Sequence, residues 1–468
     1  MTVTIDQVDV IVIGSGFAGL SAAIEAAERG CSVIVLEKMM AFGGNSAISD
    51  GGIAAPGIDY QTAAGVKDSP ELMYEDLLKA GEGLNYPELA RIVAENAEDA
   101  FLWARDKLGV KYFKRVDIFG GHSVPRCYTP ETISGLSLIK AQVDLLRKLE
   151  VPLFQGAYLK TLLQNEDKRV SAVRIIDDYR FNKHGIGTEK IIHARRAVVV
   201  ASGGFGSDIA FRQAQDPRLD SSVQSTNKLF ATAEVIKECM RIGANPVQLS
   251  RIQLGPWASP DEKGYGTGPL FADYVVYPYG IMIDPATGSR FVNELCDRRK
   301  LAEAVLVRKH PVIGIADSIA VDMAGWDLSR SLKKGVVKTF QNFKELAEGY
   351  GIDMKALNQA ICKYNDDVRE GFDREYQKQI MPEAGPILKA PFYAMRMWPK
   401  VHYTMGGLQI DKQARVINRD MHPIEGLYAA GEVTGGIHGA SRLGSCAITE
   451  CLVFGRIAGR SAATNQSI

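Results

Sequence analysis

Gly14, Gly16 and Gly19 stand at the spacing G-x-G-x-x-G, and Glu37 follows one helix and one strand later. In such a unit the first glycine permits a tight turn and the second lets the backbone approach a pyrophosphate. The third lets the helix pack close on the strand. The helix N-terminus turns its partial positive charge on the phosphates, and the acid accepts hydrogen bonds from ribose hydroxyls. Glycine spacing alone also fits a plain core turn, but here the flanking strand, helix and acid are all present. Two more glycine turns, Gly43-Gly44-Asn45-Ser46 and Ser49-Asp50-Gly51-Gly52, follow at once. An NAD unit would proceed to another helix and strand instead. Successive turns suit an extended ligand lined by backbone amides, and Gly431-Glu432 offers a further acid for ribityl hydroxyls. The pattern predicts FAD.

The elements that must position these residues are legible from hydropathy. Residues 8–13 are an apolar, β-branched run that reads as a buried parallel strand. Residues 20–29 carry Ala and Leu at helical spacing, and 31–36 form a second strand, which completes one βαβ unit. Further strands are expected at 197–201, before Ser202-Gly203-Gly204, and at 426–430, before Gly431. A helix is expected from Ser445 to about residue 463, with Ala447 and Ile448 on its first turn. The sheet is thus assembled from distant pieces. The stretch 252–402 carries helices of its own, at 340–350 and 354–371, and reads as an insertion. The expected fold class is α/β: a Rossmann-type FAD-binding domain (1–251 and 403–468) with an inserted α+β capping domain (252–402).

Composition narrows the class. In 468 residues, Lys+Arg and Asp+Glu are each 55, so net charge is zero. That disfavours a dedicated nucleic-acid binder. No run reaches the roughly 18 apolar residues of a membrane span. The first residues carry no cationic and apolar leader pattern, so a cytoplasmic protein is expected. Seven scattered cysteines without a C-x-x-C pair suit reduced thiols and argue against a metal site. Neither a haem-attachment motif nor a second dinucleotide fingerprint is visible. Electrons must then come from, or go to, an external partner: a redox protein, a quinone or free reduced flavin.

The sequence resembles the fumarate reductase/succinate dehydrogenase flavoprotein family, in its soluble flavocytochrome c-like branch without the haem domain. The motifs that carry the resemblance span the chain: 13–19, Glu37-Lys38, Gly43-Gly44-Asn45-Ser46, Ala201-Ser202-Gly203-Gly204-Phe205, Arg290-Phe291-Val292-Asn293-Glu294, His402-Tyr403-Thr404-Met405-Gly406-Gly407, and 431–444. The resemblance implies reduction, or formation, of an activated C=C by hydride exchange with flavin N5. Arg298 is then the proton donor, and His402 and Arg442 clamp a carboxylate. An arginine fork suits a bidentate carboxylate. Lys38, Gly51, Gly52, Arg442, Ser445, Ala447 and Ile448 join the glycine turns around the cofactor, with the helix N-terminus at Ser445 directed at the flavin pyrimidine edge. Asn45 falls where membrane-complex relatives attach flavin to histidine, so non-covalent FAD is expected.

Departures from the family pattern bear on the substrate. Its early His-Pro-Thr, which helps hold a second carboxylate, reads Gly255-Pro256-Trp257 here. Its Thr-Glu and following Arg, which relay protons to the donor arginine, fall on Asp273-Tyr274 and Tyr277. The expectation is that Gly255 makes room, that Asp273 repels a dicarboxylate, and that Tyr274 and Tyr277 offer aromatic surface. The substrate is then an unsaturated monocarboxylate rather than fumarate. Proton delivery passes to a tyrosine or water, or the enzyme runs mainly as a dehydrogenase. A ketosteroid dehydrogenase-like enzyme acting on an enone, or a non-catalytic flavin electron-transfer subunit, are the competing readings.

Overall fold

The computed structural model describes residues 5–183 and 186–465. Residues 1–4, on which part of the leader reading rests, lie outside them. Among the described residues no helix is long and apolar enough to cross a membrane.

The βαβ unit is β1 (Gln7–Ile13), α1 (Phe17–Ala27) and β2 (Val33–Glu37). Three later strands extend it in parallel: β3 (Leu153–Gln155), β4 (Thr188–Val200) and β5 (Pro423–Ala429). The order is β3-β2-β1-β4-β5, with every neighbouring pair parallel. The register sets Val10 against Val33 and Ala197, and Val200 against Ile13 and Ala429. Residues 10–13, 33–36, 197–200 and 427–429 are buried, which is why they read as unbroken apolar stretches. The sequence reading missed that β4 begins well before residue 197. Its first half is polar and exposed, and it pairs antiparallel with 170–177 in a hairpin that flanks the parallel sheet.

The C-terminal helix α2 (Cys446–Thr464) crosses α1 at close range. A Cβ at Gly455 would come within 2.5 Å of Ala18 O, and one at Gly459 within 2.2 Å of Ala22 O. Glycine on one helix and alanine on the other let the two backbones touch and bring the α2 N-terminus to the C-terminal edge of the sheet. Ser445 itself caps rather than opens this helix, at φ +62°.

Between the two halves of the sheet domain the chain builds a second unit. Its four-stranded antiparallel sheet (281–283, 312–316, 392–397 and 337–340) has a core of its own, including Ile281, Ile313, Leu357 and Phe392. The helix expected at 340–350 is shorter, Phe343–Tyr350. Phe340 ends a strand, and Asn342 caps the helix by accepting from the Glu345 amide. The unit is entered and left through one antiparallel ribbon, Ile252–Gly255 against Lys400–Thr404. His402 therefore stands on the crossing itself.

Candidate active site

A cleft runs along the C-terminal ends of β1, β2, β4 and β5, where an open parallel sheet offers its binding crevice. At one end Gly14 turns at φ +103°, and a Cβ there would meet Ala201 O at 2.4 Å, so only glycine fits between the strands. Gly19 packs as expected: a Cβ on it would strike Gly14 O. Glu37 closes this end. Its Oε2 accepts from Ser15 Oγ at 2.5 Å and its Oε1 from the Met39 amide at 2.8 Å. Ser15 Oγ in turn accepts from the Gly43 amide at 3.0 Å, which ties the first glycine turn to the second. Ser46 Oγ accepts from the Phe17 amide at the start of α1. Lys38 lies on the cleft wall beside Thr232 and Glu234.

The arrangement fits a dinucleotide. Gly44 and Gly203 adopt positive φ and a Cβ on either meets nothing within 4 Å, so their backbones face open space in the cleft. Gly16, Gly43, Gly52, Ser202, Gly204, Gly431, Ala447 and Ile448 share the lining. Glu432 is held by the Thr404 amide and hydroxyl at 3.0 and 3.2 Å, and burial pushes its carboxyl up to about 7. Asn45 also lines the cleft, but its side chain is engaged: Nδ2 donates to Asn227 Oδ1 and Oδ1 accepts from the Lys228 amide. Gly51 is not on the lining. A Cβ there would collide with Pro130, so its role is close packing of the turn.

At the other end Arg298, His402 and Arg442 all line the cleft with Ser445. Arg298 opens a helix (Arg298–Leu306) capped by Asp297, and its guanidinium lies 5.8 Å from the Trp257 ring. Arg442 is buried over the face of Tyr403 at 4.7 Å. One nitrogen donates to Leu443 O, and its Nε has no protein partner. Burial first, and then the neighbouring Arg298, lower its pKa to about 10. The His402 ring packs edge-on against Trp257 at 4.7 Å, and its Nδ1 lies 2.8 Å from Thr226 Oγ1, which leaves Nε2 available. Burial and the two arginines hold His402 well below the usual imidazole range, hence neutral at pH 7. Two fixed cations and a neutral imidazole around one apolar wall form a receptor for a single anion.

Four residues expected at the substrate stand elsewhere. Gly255 opens no space toward the cleft, because a Cβ on it would meet the Trp257 indole at 3.0 Å and the ring already fills that volume. Asp273 is not on the lining. It accepts from Arg298 Nη2 at 3.2 Å from behind, and so holds that guanidinium in place rather than repelling a ligand. Tyr274 is buried between Phe119 and Trp326, and Tyr277 is buried with its hydroxyl unpartnered. The sequence reading missed Tyr265 and Asp50 as lining residues. Tyr265 lies in no motif. Asp50 sat inside a glycine turn read only for its glycines.

Residues 9–448 match the FAD binding domain family. The chain belongs to that family. Over 463 residues it is 42% identical to the acrylate reductase flavoprotein subunit of Shewanella woodyi, covering 97% of this chain and 91% of that one. It is 32% identical to the urocanate reductase of Eggerthella lenta, over 98% of this chain and 75% of the relative. Among solved structures, the open conformation of a flavocytochrome c3 fumarate reductase superposes with a TM-score of 0.75 at 30% identity, over 98% of this chain and 78% of that one. The family resemblance read from the motifs is borne out, and so is FAD as the cofactor. The protein is an FAD-dependent oxidoreductase acting on carbon–carbon double bonds.

Proposed function

We propose that this chain reduces the double bond of an α,β-unsaturated monocarboxylate, with FAD held non-covalently. The observation that carries the reading is the convergence of Arg298, His402 and Arg442 on one end of the cleft, where the neighbouring lining groups are the packed rings of Trp257 and Tyr265. The likeness to an acrylate reductase flavoprotein subunit supports a small, singly charged acid.

FAD would be held along the turns at Gly14, Gly44 and Gly203 and would supply hydride chemistry at flavin N5. The chain's own residues do the rest. Arg442 and His402 hold the carboxylate and draw electron density from the alkene, an effect that is strongest in a desolvated site. Arg298, at the substrate end, provides the proton for the α-carbon. A guanidinium is a weak acid, and a strongly basic developing carbanion is able to draw its proton. The N-terminus of α2 near Ser445 favours negative charge on the reduced cofactor. The unit spanning 252–402 acts as a cap, and the ribbon carrying His402 is its hinge. An external redox protein, quinone or reduced flavin supplies the electrons. Asn45, lacking a nucleophilic nitrogen and already hydrogen-bonded at both ends of its amide, leaves the flavin unattached.

The test is anaerobic. The purified flavoprotein is reduced with dithionite and mixed with acrylate, aryl-acrylates, fumarate and enones. Rapid reoxidation by monocarboxylic enoates with fumarate inert is the expected result. Reoxidation by neutral enones alone would overturn the reading, because a ketone needs no carboxylate clamp.

A further inference from the structure

The buried pair Arg298–Asp273 has no hydrogen-bonded continuation toward solvent among the described residues. Asp273 Oδ2 meets Arg298, and the nearby Tyr277 hydroxyl is buried without a partner. Yet every double bond reduced consumes one proton besides the hydride, so the cleft must be refilled with protons from water. Another run of groups makes that connection. Asp50 lines the cleft, and its Oδ2 accepts from Tyr274 OH at 2.9 Å. Tyr274 OH lies 3.1 Å from Thr129 Oγ1, and Thr129 Oγ1 lies 3.4 Å from Asp117 Oδ2. The Asp117 side chain is 18% exposed, with Arg115 Nε at 3.2 Å from its other oxygen. Tyr274 is gripped between Phe119 and Trp326, with ring centroids at 5.0 and 4.5 Å, which fixes its hydroxyl in line.

We propose that Asp117, Thr129, Tyr274 and Asp50 form a proton relay from the protein surface to the substrate end of the cleft; the role given to the delivered proton rests on the reductase reading above.

Counting hydrogens supports this. The chain has three hydrogen bonds to fill: Asp50 to Tyr274, Tyr274 to Thr129, and Thr129 to Asp117. With both carboxylates ionised, only two hydroxyl hydrogens are present, so one bond is always short of a proton. One added proton on Asp117 completes the series, with each group donating toward Asp50. A concerted shift along the three bonds leaves the proton on Asp50 and every group donating toward Asp117. Asp50 then gives it up in the cleft as Arg298 is reprotonated, the Tyr274 and Thr129 hydroxyls turn back to donate toward Asp50, and Asp117 takes the next proton from solvent. No atom is gained or lost except the proton that enters with each double bond reduced. Burial, opposed by Arg115, pushes the Asp117 carboxyl up to about 6, which makes proton loading accessible near neutral pH.

None of the three distal groups lines the cleft, so variants there leave the ligand surface intact. Thr129→Val removes the hydroxyl at nearly constant volume, while Thr129→Ser keeps it. The loaded enzyme is measured for flavin reoxidation by acrylate in H2O and D2O. Thr129→Val, Tyr274→Phe and Asp117→Asn are expected to slow the proton-dependent step about tenfold or more and to change the solvent isotope effect, with Thr129→Ser near wild type. A second readout needs no substrate. Infrared titration of the carboxylic C=O stretch, identified by its loss in Asp117→Asn, should shift when Thr129→Val breaks the chain and return in Thr129→Ser. Equal rates, isotope effects and infrared titrations in wild type and Thr129→Val would overturn the relay. Should acrylate and its analogues all fail with the wild type, the reductase reading falls, and the infrared titration still decides whether the four groups share a proton.

Discussion

Arg298 donates from Nη2 to Oδ2 of Asp273 across 3.2 Å, and both side chains are buried. Desolvation dominates at Asp273 and pushes its carboxyl up to about 7, although Arg298 opposes it. A raised carboxyl means that the folded protein keeps a proton which the unfolded chain releases above pH 4. Stability therefore falls as pH rises from about 4 to about 7 and is flat above, with a slope approaching about 1.4 kcal/mol per pH unit for each such group. Glu432 contributes in the same window. Denaturant midpoints across this range should show the slope in wild type and a smaller one in Asp273→Asn; an unchanged slope would place the proton elsewhere.

Arg442 lies over Tyr403 with an unpartnered Nε, and it shares its end of the cleft with Arg298. Lysine cannot reproduce the fork, and a buried lysine readily loses its charge beside another cation. Arg442→Lys should thus lower kcat/KM for enoates about 100-fold or more. FAD content should be unaffected. Steady-state kinetics with a carboxylate and a neutral enone decide the point. A loss equal for both substrates would mean that Arg442 holds the fold and not the carboxylate.

What the sequence made legible was whatever the backbone itself demands. Gly14 must be glycine because Ala201 O stands 2.4 Å from where its Cβ would be, and such constraints leave a spaced signature. Residue 273 was correctly brought to the neighbourhood of Arg298, but on the wrong side of it. It lies in a π-helical turn, Ala272–Val276, and counting residues cannot tell which way such a turn faces. Gly255 misled for a related reason: the space left by its missing side chain is filled by Trp257, two residues on, and volume compensation leaves no trace in spacing. Tyr265 and the pairing of Asp50 with Tyr274 were invisible, since they join positions far apart in the chain through contacts without a motif.

Asn45 is the residue through which attachment of the cofactor can be tested. Precipitation with acid should release all the yellow colour into the supernatant. Gly14→Ala gives the complementary result. With φ at +103° and no room for a Cβ, it should cost about 1–3 kcal/mol in stability and yield protein largely without flavin. Flavin remaining on the wild-type pellet would show a covalent link through some other side chain.

His402 offers a sharper test of what the clamp is made of. A histidine facing an anion is readily assumed to be imidazolium. Here burial, Arg442 and Arg298 all disfavour the charged form, while Trp257 packs against the ring and Thr226 occupies Nδ1. The ring therefore binds as a neutral hydrogen-bonding group, and the charge of the clamp comes from the two arginines. Two consequences follow for the pH profile of kcat/KM. No limb near pH 6.5 should belong to His402, and His402→Asn, which keeps a polar group without titrating, should lower the rate about tenfold while leaving the shape of the profile unchanged. A limb near pH 6.5 that vanishes in His402→Asn would show that the imidazole is charged in the working enzyme.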